Sequence, residues 1–450
     1  MSKPGTATDD LGPRRRYPRI VEGLMRERLL PAFSALHLVG PRGCGKTTSA
    51  TTLADEVLDL SEPGTRRAAR ESPDTLLAPT RGTVLVDEWQ EAPEILGAIK
   101  RSVDRDLDAT PGRFIVAGSV RAARQAATWP GTGRLVRVRM YGLTCAEMAG
   151  LSDYNPVDTL FDGIGDAIGT SDLDRAGYID RIVSGRLPAA VRLDPEARRR
   201  WYASYVEQLA ERDAQQVSGR AARSTLLRAV LESCGARTGQ LLNKQQTARD
   251  AGVDARTADL HMALLEDLSV VLRVPAWHAS RVKRLTRSPK VHLVDPGMAA
   301  YLLGVDAASL ARTERLVGQM FETFVVTELL AHLEAAAAET RIFHARNDSG
   351  REVDCVLERA GKVVALEVKS SESVTRSDAR SILWLRDTLG HAFRFGAVLY
   401  AGKWPIRLDD RVWALPLSVL WHPPQRRRVL SRASRGPASR SVPTGNGPRE

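Results

Sequence analysis

The chain has only four cysteines in 450 residues, Cys44, Cys145, Cys234 and Cys355, and no two form a C-x-x-C pair. Scattered cysteines exclude a disulfide framework, argue against a structural zinc site and fit a reducing cytoplasm. No stretch approaches the roughly 20 consecutive apolar residues that span a bilayer, so no membrane is expected as a partner. Residues Met1 to Ala7 lack an apolar core, so no secretory signal is read there. The folded body also has little net charge. Of the overall +11, residues 422–450 carry +6 through seven arginines and Glu450, residues 1–16 carry +2, and +3 remains for the rest. Both ends are rich in Pro, Gly, Ser and Thr and read as disordered arms, 1–16 and 423–450. Basic tails bind polyanions without specificity, so the global charge is weak evidence that the body meets DNA. A hydrophobic content of 43% supplies sizeable cores, and the length suggests two to four domains.

What is present is sharper. Residues 40 to 47 read Gly40-Pro41-Arg42-Gly43-Cys44-Gly45-Lys46-Thr47, filling every position of the phosphate-loop pattern G-x-x-x-x-G-K-[ST]. A strand-like run, Ala35 to Val39, precedes it and a helix opening, Thr48 to Ala54, follows, which is the context the motif requires. Gly40, Gly43 and Gly45 let backbone amides turn inward toward phosphate, aided by a helix N-terminus. Lys46 is placed for the β- and γ-phosphates of ATP and the Thr47 hydroxyl for Mg²⁺, with Pro41, Arg42, Cys44 and Thr48 completing the segment. A second apolar run, Thr83 to Val86, ends in Asp87 and Glu88. Asp87 is placed to hold Mg²⁺ through water and Glu88 to deprotonate the attacking water, which favours hydrolysis over binding alone. A third run, Arg113 to Gly118, ends in Ser119, at the strand end where open α/β sheets gather ligands. Ser119 either senses the γ-phosphate or caps the next helix.

Residues 17–150 alternate strands and helices, as an α/β nucleotide domain does. Residues 61–80 are broken by prolines into a loop with short helices. Residues 134–140 alternate apolar and charged, as a half-exposed strand does. Residues 151–310 read as a mostly helical region opening on a linker, and 311–422 as mixed α and β. Within the helical region, Asn243 to Ala251 forms a helix ended by Gly252. A second helix starts at Asp254 with Leu260, Leu264, Leu265 and Leu268 at helical spacing, and Ser269 to Trp277 follows as a strand. Helix, turn, helix and strand is the plan of a winged helix, with Arg256 and Thr257 at the exposed start of the recognition helix. Asp254, Asp259 and Glu266 on that helix would repel phosphate, so a protein-binding module stays open beside a DNA-binding one.

The last part carries a second constellation. Gly318 to Leu330 is an amphipathic helix bearing Glu322. Glu352 to Leu357 and Val363 to Lys369 read as strands joined by a turn at Arg359 to Gly361. Glu367 and Lys369, two apart, share a face, and Asp354 is expected on that same face. Asp354 and Glu367 are then candidate ligands of a divalent cation, with Lys369 and Glu322 beside them, a set suited to activating water against a phosphodiester. A solvated sheet face with a Glu367–Lys369 salt bridge is the plainer reading.

Taken in order, these features resemble the bacterial and archaeal AAA-type ATPases that carry a C-terminal DUF4143 region. The residues that carry the resemblance are Gly40 to Thr47, Asp87-Glu88-Trp89-Gln90, Ala117-Gly118-Ser119, Gly133-Arg134, Tyr141 to Glu147, Gly185-Arg186-Leu187-Pro188 and Glu211-Arg212-Asp213. At the end they are Gly318, Glu322, Glu352-Val353-Asp354 and Glu367-Val368-Lys369. Tyr141-Gly142 replaces the family's usual proline approach, and Arg186 replaces its second glycine. The resemblance implies an α/β P-loop ATPase domain, a helical and winged-helix middle, and a C-terminal α/β domain like a restriction endonuclease. It implies ATP and Mg²⁺ as cofactors and gives Arg134 the role of arginine finger or sensor. The leading expectation is an Mg²⁺-dependent ATPase acting on or near DNA. The alternative is a regulatory or signalling ATPase whose C-terminal domain serves interactions only. An oligomer and a protein partner stay open.

Overall fold

Three short apolar segments, β1 (Ala35–Val39), β3 (Val84–Asp87) and β4 (Phe114–Ala117), are buried along their whole length. Continuous apolar runs of this kind belong to parallel sheets covered on both faces. With β2 (Glu56–Asp59) and β5 (Leu135–Arg139) they form an all-parallel sheet in the order β2-β3-β4-β1-β5 in a computed structural model of the chain. The described residues are 16–106, 110–118, 133–163, 169–218, 224–280, 282, 284, 287–347 and 350–423. Ser119 and nearly all of both terminal arms lie outside them. β5 is an edge strand and half-exposed, as its alternating residues predict. Strand β2 is not foreseen from sequence, because four residues bounded by Glu56 and Asp59 on the opposite edge carry little apolar signal. The proline-broken segment folds as two helices, Pro63–Glu71 and Pro73–Leu77, each opening on its proline.

The middle is helical, with β6 (Gln240–Leu241), β7 (Val271–Val274) and β8 (Lys290–Leu293) forming an antiparallel sheet in the order β6-β8-β7. Helices Lys244–Asp250 and Ala255–Asp267, capped by the Asn243 and Asp254 side chains, sit between β6 and β7. That topology is the expected winged helix. One detail differs. Leu264, Leu265 and Leu268 are buried, but Leu260 is 57% exposed, so it lies outside the apolar stripe.

The C-terminal sheet comprises β9 (Arg341–Arg346), β10 (Glu352–Arg359), β11 (Lys362–Lys369), β12 (Phe393–Tyr400), β13 (Ile406–Asp409) and β14 (Val412–Pro416), in the order β13-β14-β12-β11-β10-β9. The β11-β12 and β12-β14 pairs are parallel, the others antiparallel. Val364, Leu366 and Val368 pack with helix Glu314–Glu334, while Val363 and Ala365 pack with helix Arg380–Leu389. Helix Glu314–Glu334 is long and apolar enough to cross a membrane by length and composition, and 72% of its apolar window is buried inside the protein. Counting consecutive apolar residues overlooks it because Glu322 and Glu328, both buried, interrupt the run.

Candidate functional site

The phosphate loop leaves the carboxyl end of β1. Gly43 and Gly45 take φ of 71° and 100°, a region that side chains rarely enter. At Gly40 a Cβ would collide with the Met140 carbonyl, so glycine is required for the loop to pass β5. The helix after the loop is short, Lys46–Thr51, and begins at the lysine itself. Lys46 Nζ donates to the carbonyls of Gly40 and Pro41, both at 3.0 Å, folding back over the loop. Cys44 is fully buried, consistent with a small packing residue, and Thr48 is exposed beside the loop mouth.

The Thr47 hydroxyl donates to Asp87 Oδ2 at 2.7 Å, joining the loop to the end of β3. Burial, opposed by that hydrogen bond and reinforced by the charge of Glu88, raises the Asp87 carboxyl above its ordinary range. Glu88 has φ of 51°, uncommon for a residue with a side chain. Its carboxylate accepts a hydrogen bond from Gln90 Nε2. Gln90 in turn lies against Gly118, where a Cβ would strike its amide and Trp89. Gln90 thus holds the Glu88 carboxylate, a contact that spacing alone does not state. Behind this turn, His37 meets the edge of Trp89 at 5.7 Å. Burial first, then the charges of Arg137 and Lys46, push His37 down to about 3, so it is a neutral packing residue.

The Tyr141 to Glu147 motif proves structural. Thr144 and Glu147 form a reciprocal capping box. Glu147 also pairs with Arg19 at 3.1 Å and accepts from the Ile20 amide. Arg19 then donates to the Cys44 carbonyl at 2.7 Å, bracing the phosphate loop from the N-terminal side. Arg186, which stands where a glycine is usual, is buried, pairs with Glu328 and lies over the Phe324 ring at 4.5 Å. Helix Pro195–Ser218 reaches the loop through the Tyr205 hydroxyl, which donates to the Arg42 carbonyl at 3.1 Å. Arg134 is elsewhere. Its neighbour Leu135 pairs with Ala35 at the start of β1, whereas the loop follows Val39, which pairs with Arg139. Four to five residues of strand, roughly 15 Å, separate Arg134 from its own phosphate loop. It donates instead to Asp104 at 2.8 Å.

At the C-terminal sheet, β10 and β11 pair from Cys355↔Leu366 onward, which leaves Asp354 one residue beyond the paired segment. A register shift between Val353 and Val356 interrupts β10 against β9 at that point. Asp354 Oδ2 accepts the Val368 amide at 2.9 Å, and Lys369 Nζ donates to Glu367 at 2.8 Å. The unforeseen residue is Lys290 on β8. Its ammonium lies 2.8 Å from Glu322, 2.5 Å from Glu352 and 3.3 Å from Asp354, and the side chain is 3% exposed. From the sequence, Asp354 and Glu367 are expected to hold a divalent cation with Glu322 beside them; in the fold Asp354 and Glu322 meet Lys290, and Glu367 meets Lys369. Among the described residues, no cluster of three His, Cys, Asp or Glu side chains is arranged to hold a metal. Burial pulls Lys290 down, but Glu322, Asp354 and Glu352 outweigh it and keep the ammonium charged. Glu322 is itself pushed well up, by burial and then by Asp354. Lys290 was missed because it stands 32 residues before Glu322, on a strand of the winged module, where no local motif marks it.

Glu367 is pushed up to about 8, chiefly by burial and then by the charge of Asp354, with Lys369 opposing, from an ordinary value of 4.5. Between those values the folded chain holds a proton that the unfolded chain has released, so rising pH should reduce stability across that window. Glu367→Gln should flatten the loss, read from melting temperatures at pH 5 and pH 8.5. An undiminished drop in the variant would remove Glu367 as its source.

Residues 32–149 match an AAA domain, residues 175–309 a domain of unknown function (DUF8612), and residues 317–420 a domain of unknown function (DUF4143). Two proteins described as uncharacterized, from Mycobacterium bovis and Mycobacterium tuberculosis, are each 28% identical over 398 residues, covering 86% of this chain and 81% of theirs. Among solved structures, the Walker-type ATPase paby2304 of Pyrococcus abyssi aligns at 12% identity and a TM-score of 0.39, over 64% of this chain and 96% of its own. The chain thus carries an AAA-type domain at residues 32–149 and a DUF4143 domain at residues 317–420, the pairing its motifs resemble.

Proposed function

We propose that this chain is a Mg²⁺-dependent ATPase that acts on or near DNA. The observation that carries the first part is the 2.7 Å contact between the Thr47 hydroxyl and Asp87, beside Lys46 and Glu88. Thr47 and Asp87 bring two oxygens together at a buried carboxylate, a donor set that fits Mg²⁺. When bound, the ion would neutralise charge on the β- and γ-phosphates. Lys46 would exchange its two backbone carbonyls for phosphate oxygens, and the loop amides would hold the β-phosphate. Glu88, steadied by Gln90, would take the proton of the attacking water. The DNA part rests on the winged-helix topology and the carboxylate face of the C-terminal sheet.

A second reading of the C-terminal domain is favoured by Lys290. With an ammonium at the centre of Glu322, Glu352 and Asp354, the domain serves as an interaction module and cuts nothing. Incubation of the full chain with DNA, ATP and Mg²⁺ or Mn²⁺ separates the two. If the sheet site is a nuclease, Asp354→Ala abolishes cutting and spares ATP turnover. Intact DNA with the native chain assigns the domain to interaction.

A further inference from the structure

A cleft of about 1000 Å³ opens between the winged module and the C-terminal sheet. It is lined by Arg237, Lys244, Arg287 and Arg346, with Glu352 the one acid among its lining residues. Its walls come from two modules: the β6 turn and the first residues of the helix Lys244–Asp250 on one side, the ends of β9 and β10 on the other. Glu352 also binds Lys290 at 2.5 Å, so the cleft opens onto the lysine-centred cluster. Salt bridges to Asp250 and Asp259, acids that do not line the cleft, orient Arg237 and Lys244, at 2.6 and 2.8 Å. Arg287 donates to the Arg346 carbonyl at 2.5 Å, holding two cations side by side. The recognition helix is a poorer phosphate surface, since it exposes Leu260 and carries Asp254, Asp259 and Glu266.

We propose that this cleft is the path of a single-stranded nucleic acid, held by its phosphodiester backbone. The proposal rests on the DNA reading above and moves the contact from the recognition helix to the cleft. A space of this volume admits a few nucleotides of one strand and not the cross-section of a duplex. No aromatic side chain lines it, so bases have no stacking platform there and recognition is of backbone charge, without sequence preference. A DNA and an RNA strand offer the same phosphates, and the measurement compares them.

The test is fluorescence anisotropy of the full chain with labelled single-stranded DNA, single-stranded RNA and duplex DNA over a salt series. Lys244 and Arg346 are about half-exposed, at 54% and 46%, so both can be changed without opening a core. The double change Lys244→Glu and Arg346→Glu should weaken single-strand binding by on the order of tenfold. It should also lower the salt slope by about 1.4, the release expected for two phosphates of a single strand. Lys244→Arg with Arg346→Lys should retain binding, and thermal melting confirms the fold of each variant. The 424–450 segment, with its seven arginines, would bind single and double strands alike. Equal affinity and slope for native and charge-reversed chains would overturn the cleft and leave the DNA reading to the arms. Absence of binding by the native chain would overturn both.

Discussion

Glu88→Gln should leave ATP binding close to native and slow turnover by about 10²- to 10⁴-fold, the usual contribution of a positioned general base. The expectation rests on a specific geometry. Glu88 follows the Asp87 that touches Thr47, it occupies a left-handed turn at φ 51°, and Gln90 holds one of its oxygens. Glutamine preserves the size and the hydrogen bonding to Gln90 but cannot accept a proton from water. Binding and chemistry should therefore separate, with kcat falling and affinity kept. Turnover at the native rate in Glu88→Gln would move the base elsewhere, and a parallel loss of binding would make Glu88 a structural residue of the β3 turn.

Lys46→Ala should remove most nucleotide affinity. The ammonium makes two 3.0 Å hydrogen bonds to Gly40 and Pro41, and nucleotide phosphates would replace them with charge-assisted ones. Hydrogen bonds involving a charged group contribute about 1.5–3 kcal/mol each, so losing two corresponds to roughly a hundredfold or more in Kd. Alanine favours helix and Lys46 is the first residue of its helix, so the fold should survive. Equilibrium titration with a fluorescent ATP analogue reads the change. Native affinity in the variant would mean that this loop is not the nucleotide site.

How much of this was legible in the chain depends on how far apart the cooperating residues lie. The phosphate loop and the Asp87–Glu88 strand are local patterns whose spacing and period state their geometry, and both stand where they were expected. The winged helix was readable because caps at Asn243 and Asp254 and the turn at Gly252 are local signals. Leu260 shows the limit, since its spacing fits the apolar stripe while tertiary packing leaves it outside. Sheet parity placed Glu367 and Lys369 together from a spacing of two. Lys290 could not be found that way, because its partners Glu322, Glu352 and Asp354 come from a helix and a strand of another module. Charge balance was the available clue: several acids crowding one buried face require a cation, and nothing local says whether it is a metal or a lysine. Arg134 was carried by resemblance alone, and strand register, invisible in one sequence, puts it at the far end of β5. The arginine-rich tail and Ser119 lie outside the described residues.

The Thr47–Asp87–Glu88 corner is proposed to hydrolyse ATP. The most direct measurement is phosphate release by the full chain with ATP, with and without Mg²⁺, beside Glu88→Gln under the same conditions. Release that requires Mg²⁺ and collapses in Glu88→Gln while that variant still binds ATP is the expected result. Tight ATP binding with no release by the native chain, in Mg²⁺ and with or without added DNA, would contradict it.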